Sequence, residues 1–130
     1  MWKSFLMAFL TVVSTNTFAE WKKIEKISSE GITRYVDVTT IQRNKNKVRM
    51  VNLIDYQTKR EALDDKFLSI KVVQEYDCNA VKKRILAFNT YHGNMGTGGV
   101  LYRDTSPNEW KIVSSPGSSG LTLWEAACTK

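Results

Sequence analysis

Cys78 and Cys128 are the only cysteines of the 130-residue chain, and a thiol can form a disulfide, bind a metal or act as a nucleophile. Two cysteines and a single histidine do not supply the ligands of a structural zinc site, and the Cys-x-x-Cys spacing of a redox pair is absent. Two cysteines are typical of a disulfide when a small protein is exported, and the N-terminal residues of this chain have the pattern of an export signal. We therefore predict a Cys78–Cys128 disulfide, which closes a loop of about 50 residues.

His92 is the only histidine, so a serine or cysteine mechanism with a histidine base would have to use it. It stands at the end of a predicted strand, where a surface or turn histidine is the commoner situation. The glycines between Met95 and Gly99 lack the GxxxxGK[ST] pattern of a phosphate loop. Asp55, Asp64 and Asp65 lack the spacing of an EF-hand calcium loop. We expect a non-enzymatic protein with no catalytic, cofactor-binding or metal site.

Basic residues gather around two predicted turns. One group consists of Arg43, Lys45, Lys47 and Arg49, and the other of Lys82, Lys83 and Arg84. The formal net charge of the chain is +6, which leaves two interpretations open: an ordinary solvated surface, or attraction to anionic polymers such as sulfated glycans. These seven residues are the candidate ligand contacts. No nucleic-acid-binding motif is present, so nucleic acid is not an expected partner.

The first residues have the pattern of a secretory signal peptide. Lys3 supplies a positive charge, residues 5–13 are uncharged and apolar, and Thr17 and Ala19 occupy the −3 and −1 positions of a cleavage site. The apolar run is shorter than the roughly 20 residues that span a bilayer, and no later segment is apolar enough to cross one. We predict a signal peptide over residues 1–19 and one domain over residues 20–130; a buried N-terminal helix is the alternative.

The elements that position these residues follow from apolar side chains that recur mostly at every second position, which is typical of strands. The predicted strands cover residues 21–27, 32–38, 48–57, 67–78, 82–91 and 100–104. In the fourth, Leu68, Ile70, Val72, Tyr76 and Cys78 share one face, and Ser69, Lys71, Glu75 and Asp77 share the other. One buried and one exposed face indicate an antiparallel sheet. Residues 58–66 are predicted as a charged loop or one helical turn, and residues 93–99 as a flexible connection.

A short C-terminal helix is predicted to begin near Ser118 or Ser119, because a serine hydroxyl can cap free backbone amides. Leu121, Trp124 and Cys128 have the spacing of one helical face. Since Cys78 lies on the apolar face of its strand, the disulfide would hold this helix on the sheet. The expected fold is α+β: a roughly six-stranded antiparallel sheet with a short C-terminal helix packed on one face and tied by a disulfide.

Several short motifs occur in order along the chain after residue 19. They are Glu20-Trp21, Tyr35-Val36-Asp37 followed by Ile41, Asp55-Tyr56, Glu75-Tyr76-Asp77-Cys78 with Arg84 beyond it, Met95-Gly96-Thr97-Gly98, Glu109-Trp110 and the final Cys128. In order and spacing they resemble the surface-adhesin protein E family of Gram-negative bacteria. The resemblance implies the same sheet-and-helix fold, and homodimers in at least one member.

The resemblance further implies adhesion, that is, binding to host extracellular-matrix and serum proteins such as vitronectin, laminin and plasminogen. It carries over only the two cysteines as site residues. The known adhesin is a lipoprotein, whereas no cysteine follows the predicted cleavage site directly. We therefore expect an exported protein without a lipid anchor, in the periplasm, secreted or at the cell surface. A soluble periplasmic structural or envelope-associated domain with no host ligand is the alternative.

Overall fold

Seven strands form one antiparallel sheet in the computed structural model, which describes residues 19–62 and 65–129. The strands are β1 (Lys22–Lys23), β2 (Ile32–Asn44), β3 (Lys47–Ala62), β4 (Asp65–Asp77), β5 (Lys82–Tyr91), β6 (Val100–Asp104) and β7 (Lys111–Ile112). Strands β1 to β6 lie side by side in chain order, and β7 pairs with the beginning of β5. One helix, α1 (Ser119–Cys128), follows the sheet. The predicted α+β fold is confirmed.

Within the charged segment 58–66, residues 58–62 and 65–66 lie in strands, so the prediction of a loop or one helical turn is wrong for these residues. Strand β3 continues to Ala62 and β4 begins at Asp65, so the two strands form a long hairpin. After an irregularity between Asp55 and Arg60 the pairing resumes, with Arg60 opposite Phe67. The alternation signal was missing because residues 57–62 are all exposed, so no face needs apolar side chains.

The ends of the sheet differ from the prediction in two further places. The first strand comprises only Lys22–Lys23, and Glu25–Ile27 form a turn of 3₁₀ helix instead of its continuation. Strand β7 was not predicted at all. A strand of two residues is too short to show alternation, so the neighbouring strand and not the local sequence determines it.

A hydrophobic core cluster lies between the sheet and α1. Its buried strand residues are Val36, Val48, Met50 and Tyr76, and they pack with Leu123 and Ala127 of α1. Burial of a side chain of this size stabilises the fold by about 1.5–3 kcal/mol. The core therefore depends on the helix that covers these strands.

Helix α1 begins where the sequence predicts, because the Ser118 hydroxyl accepts a hydrogen bond from the Leu121 amide at 3.1 Å. The buried stripe is different from the predicted one, since Gly120, Leu123 and Ala127 are its buried residues. Gly120 allows close packing, as a Cβ atom there would lie 2.9 Å from a methyl group of Val113. The helix is thus rotated slightly from the predicted orientation.

The predicted disulfide is present. It joins Cys78, directly after β4, to Cys128 at the last turn of α1, with the two Cα atoms 5.6 Å apart. Beside it, the indole nitrogen of Trp124 donates a hydrogen bond to the carbonyl oxygen of Asp77 at 2.9 Å. The bond and the indole together fix the helix to the end of β4.

Candidate ligand-binding face

The sheet face opposite α1 carries most of the charged contacts, and we call it the polar face. Side chains alternate between the two faces of a strand, so the neighbours of Val48, Met50 and Tyr76 in sequence point away from α1. The register places Arg49 opposite Glu75 and Glu75 opposite Arg84. Pairing of β3, β4 and β5 therefore brings together basic residues that are far apart in sequence.

Glu75 lies between two arginines on the polar face. Its carboxylate accepts from Arg84 at 2.7 Å to Nη2 and 2.8 Å to Nε, and lies 3.5 Å from Nε of Arg49. Glu75 is buried, whereas 56% of the Arg49 side chain is exposed. Two hydrogen bonds hold the Arg84 guanidinium in place, while Arg49 keeps most of its surface available for another anion.

Lys47 and Asp77 form a second ion pair beside the first, at 3.0 Å. The hydrogen bond from Lys47 holds the pKa of the Asp77 carboxyl below its usual value, assisted by the backbone amides of Ala80 and Asn79. Because those amides belong to the turn between β4 and β5, Asp77 stabilises the turn as well as the ion pair.

Trp110 completes this group of side chains. The guanidinium carbon of Arg84 lies 4.8 Å from the centre of the indole ring, and the Lys47 nitrogen lies 5.5 Å from it. Cations at these distances are attracted to the negative face of an aromatic ring. Trp110 directly precedes β7, so the pairing of β7 with β5 positions the ring. We call Lys47, Arg49, Glu75, Asp77, Arg84 and Trp110 the arginine–tryptophan cluster.

Four of the seven predicted basic contacts share the polar face. They are Lys47, Arg49, Lys82 and Arg84, which stand opposite Asp77 or Glu75 in the ladder. The four cations exceed the two carboxylates, so this row carries a net charge of +2. The row retains an excess of positive charge on a surface that the strands hold rigidly.

The other three predicted contacts lie outside the cluster, although Arg43 lines a cleft beside it. Arg43 donates to the carbonyl oxygen of Cys128 at the end of α1, and Lys45 is an exposed residue of the turn between β2 and β3. Lys83 lies on the helix side of the sheet, close to Gly120. Burial lowers the pKa of Lys83, and the charges of Lys111 and Arg34 lower it further. The structure does not bring these three residues into the cluster.

The seven predicted contacts are all basic residues, so they do not include Glu75, Asp77 or Trp110. Both acids stand on the predicted polar face of the fourth strand, but only the register shows which cations lie opposite them. The expectation of an exposed face is wrong at Glu75 and at Ser69, both of which are buried. Ion pairs cover Glu75, and the loop after β5 covers Ser69, whose hydroxyl contacts Gly93 and Gly96.

That loop, predicted as a flexible connection, is tied to β3 and β4. Asp55 accepts hydrogen bonds from the side chain of Asn94 at 3.1 Å and from the backbone amide of Met95 at 2.8 Å. His92, at the start of the loop, is exposed. Within residues 19–62 and 65–129, no three His, Cys, Asp or Glu side chains gather as possible metal ligands.

An open cleft borders the cluster where β2 and β3 meet their turn. Its volume is about 380 Å³, and its lining consists of Gln42, Arg43, Asn44, Lys47, Arg49 and Glu75. Guanidinium and ammonium groups at such a cleft can bind carboxylate or sulfate groups, and an indole beside them supplies contact area. The arrangement can therefore bind an anionic group.

The model of one protein family, described as surface-adhesin protein E, matches residues 21–129 of the chain. The chain belongs to the surface-adhesin protein E family. The adhesin E domain thus spans almost all of the residues that the structure describes, and the resemblance inferred from the motifs is confirmed.

Solved structures support the fold of the adhesin E domain. Crystal form II of Haemophilus influenzae protein E superposes with a TM-score of 0.68 at 11% sequence identity, covering 88% of this chain and 91% of that chain. Another structure of Haemophilus influenzae protein E gives a TM-score of 0.67 at 11% identity and covers 88% of each chain. At this identity the likeness establishes a shared fold. A comparison with curated proteins finds no match.

Helix α1 is too short to cross a bilayer, and the described part of the adhesin E domain has no helix that combines the necessary length and apolarity. The predicted signal peptide falls on residues 1–19, of which residues 1–18 lie outside the described residues. Cleavage after Ala19 therefore stays a prediction.

Proposed function

We propose that this adhesin E domain is an exported, non-enzymatic binding module that attaches to acidic surfaces of host extracellular-matrix or serum proteins. Family membership supports binding as the activity. The arginine–tryptophan cluster supports the location, because it joins exposed cations to an aromatic ring on one rigid face. Anionic glycans are the competing ligand, and the experiment below separates the two.

Arg49 is the residue of the cluster best placed to contact a ligand. It is the most exposed of the three paired cations, and its contact with Glu75 is the longest of their ion pairs. Glu75 and Trp110 hold the neighbouring Arg84, so little side-chain entropy is lost there on binding. Arginine and tryptophan are also the residue types that contribute most often to binding energy at interfaces.

The binding test compares the wild-type protein with Arg49→Glu on immobilised vitronectin, laminin and heparin. We expect saturable binding of the wild type to vitronectin or laminin, weaker at higher salt, and about tenfold weaker binding by Arg49→Glu. Lys59→Glu is the matched control, because Lys59 is exposed on β3 outside the cluster and the charge change is identical. We expect the control to bind nearly as the wild type does.

Other outcomes of this test have distinct meanings. Absence of saturable binding to vitronectin, laminin and heparin at physiological salt would contradict the proposed function. Binding to heparin alone would assign the site to anionic glycans. Equal losses in Arg49→Glu and Lys59→Glu would show attraction by overall charge and would remove the cluster from the proposal.

Export is the second part of the proposal. A predicted signal peptide and a disulfide both fit an oxidising compartment outside the cytoplasm. Protease added to intact cells should digest the protein if it is displayed on the surface or released. Complete protection until the outer membrane is opened would favour a periplasmic structural or envelope-associated role instead.

A further inference from the structure

Asp37 is a buried carboxylate on the polar face, with only 3% of its surface exposed. One oxygen accepts hydrogen bonds from the amide and the hydroxyl of Thr39, at 3.0 Å for the amide. The other oxygen accepts from the backbone nitrogen of Glu20 at 3.0 Å. Among the described residues, no lysine or arginine forms an ion pair with Asp37.

A buried carboxylate without a cation is energetically unfavourable, because neutral donors replace only part of its hydration. Such groups are usually paired with a positive charge or bound to a metal. Asp37 has three neutral donors and no ion pair in the described chain, so the structure leaves a position for one positive charge beside it.

Glu20 is the residue directly after the predicted cleavage site, and its nitrogen is the atom that changes when the leader is removed. Hydrolysis of the Ala19–Glu20 peptide bond by a signal peptidase consumes one water molecule. The Ala19 carbonyl carbon receives the hydroxyl, and the Glu20 nitrogen receives a proton. At neutral pH a second proton makes that nitrogen an ammonium group at the position now 3.0 Å from Asp37.

We propose that Glu20 is the N-terminal residue of the mature protein and that its α-ammonium group forms an ion pair with the buried Asp37 carboxylate. Removal of the leader then supplies the cation that the folded domain lacks. Ala19 and Glu20 are both exposed in the folded domain. Because β1 is only two residues long, this pair would be a main attachment of the N-terminal segment to β2.

Lys71 is the one other titratable side chain among the residues that line the cleft at Asp37. The cleft of about 380 Å³ around it is lined by Ala19, Trp21, Asp37, Thr39, Thr40, Val51 and Lys71. Strand β3 contributes only Val51, and β4 contributes Lys71, whose nitrogen lies over the rings of Tyr91 and Trp21 at 5.2 and 5.9 Å. The side chain of Glu20 is itself acidic. The positive charge of Lys71 disfavours a second positive charge in the same cleft. Asp37, however, is the group in direct contact with the Glu20 nitrogen.

The test begins with the full-length gene expressed in a Gram-negative host. Intact mass of the exported protein should correspond to residues 20–130 with one disulfide. Reductive ¹³C-dimethylation then labels the amines and keeps their charge, and NMR follows the α-amine as the pH changes. We expect its pKa to be raised by about one unit or more above the ordinary 7.7–8.0.

Two variants sharpen the test. Asp37→Asn should return the α-amine pKa to the ordinary range, whereas Glu61→Gln, an exposed acid on β3, should leave it raised. A raised pKa means that the ion pair is complete below pH 8 and that its stabilisation is lost as the pH rises through the folded-state pKa. The thermal midpoints of the wild type and Asp37→Asn should therefore converge at alkaline pH.

A mature chain that begins at another residue would overturn the proposal, as would an ordinary α-amine pKa in the wild type. The wild-type titration decides the question by itself if Asp37→Asn does not fold. No ligand enters the measurement, so its outcome is independent of the proposed adhesion.

Discussion

At the scale of single residues, Tyr76 has a buried hydroxyl group that contributes no hydrogen bond to the described part of the fold. The side chain is fully buried in the core, burial raises its pKa, and its hydroxyl has no hydrogen-bond partner among the described residues. The unpartnered oxygens of Asn52 and Gln74 lie on the same side of the sheet. Each such group loses hydration on folding without a replacement, which costs about 1–3 kcal/mol.

We predict that Tyr76→Phe raises the free energy of unfolding by about 1 kcal/mol, because it removes an unpaired buried hydroxyl and keeps the ring. Urea denaturation measures the change. Tyr91→Phe is the matched control, since the Tyr91 oxygen accepts a hydrogen bond from Asn89 and its removal should lower stability. A loss of stability in Tyr76→Phe would reveal a hydrogen-bond partner for that hydroxyl.

The charge of Asp77 stabilises an ion pair with Lys47 and a turn, so the stability of the fold should depend on the ionisation of this carboxyl group. Its pKa is lowered in the folded protein, chiefly by the hydrogen bond from Lys47. A lowered carboxyl pKa contributes stability above the unfolded-state value and loses it as the pH falls through the folded-state value. We predict that Asp77→Asn is less stable than wild type at pH 7 and that the difference begins to shrink below about pH 4.

Thermal unfolding between pH 7 and pH 2 measures this convergence. Glu30→Gln removes a charge from an exposed side chain in the turn before β2 and should leave the wild-type curve unchanged. A difference between Asp77→Asn and wild type that stays constant down to pH 2 would show that the amide change alone, and not the lost charge, destabilises the protein.

At the scale of elements, register decides which side chains meet. Arg49, Glu75 and Arg84 lie on three different strands and become neighbours only through the β3–β4 and β4–β5 ladders. The β4–β5 register shifts between Val73 and Gln74, and a shift of one residue moves side chains to the opposite face. The arginine–tryptophan cluster is therefore a consequence of this irregularity as well as of the residue types.

The disulfide is the element-scale link between α1 and the sheet. An isolated helix of ten residues is marginal in water, so α1 depends on its packing and on this bond. We predict that replacing both Cys78 and Cys128 with serine lowers the free energy of unfolding by about 4 kcal/mol, mainly through the freedom gained by the unfolded chain.

Chemical denaturation of the double variant measures that loss, and wild type treated with dithiothreitol should show a similar one. If reduced wild type kept its full stability, the core packing of Leu123 and Ala127 would be sufficient to hold α1. The prediction would then be wrong in its account of how the helix is retained.

At the scale of the whole molecule, the two faces of one sheet have separate roles. The face under α1 carries the hydrophobic cluster that includes the helix, and the polar face carries the arginine–tryptophan cluster and the Asp37 cleft. The binding experiment with Arg49→Glu belongs to this scale, because the site requires β3, β4 and β5 together with β7. The proposed N-terminal ion pair would stabilise the same face without contributing to binding.

The sequence by itself determined those strands, the helix start and the disulfide that a local residue pattern is enough to predict. Strands β5 and β6 have the predicted bounds, α1 begins at the predicted cap, and the two cysteines are paired as expected. These features can be predicted without knowing which strands pair, because they depend on alternating apolar residues, a capping serine and a single pair of cysteines. The family motifs likewise predicted the membership that the family model confirms.

Only the tertiary structure decided which charges lie together. Strand β7 and the end of the β3–β4 hairpin from Arg60 onward form because a neighbouring strand pairs with them, and their own residues carry no apolar alternation. Glu75 and Asp37 are buried because side chains from other strands and the N-terminal segment cover them. Cross-strand register and long-range burial are properties of the folded sheet, so the one-dimensional pattern could place the basic residues but could not select those that form the site.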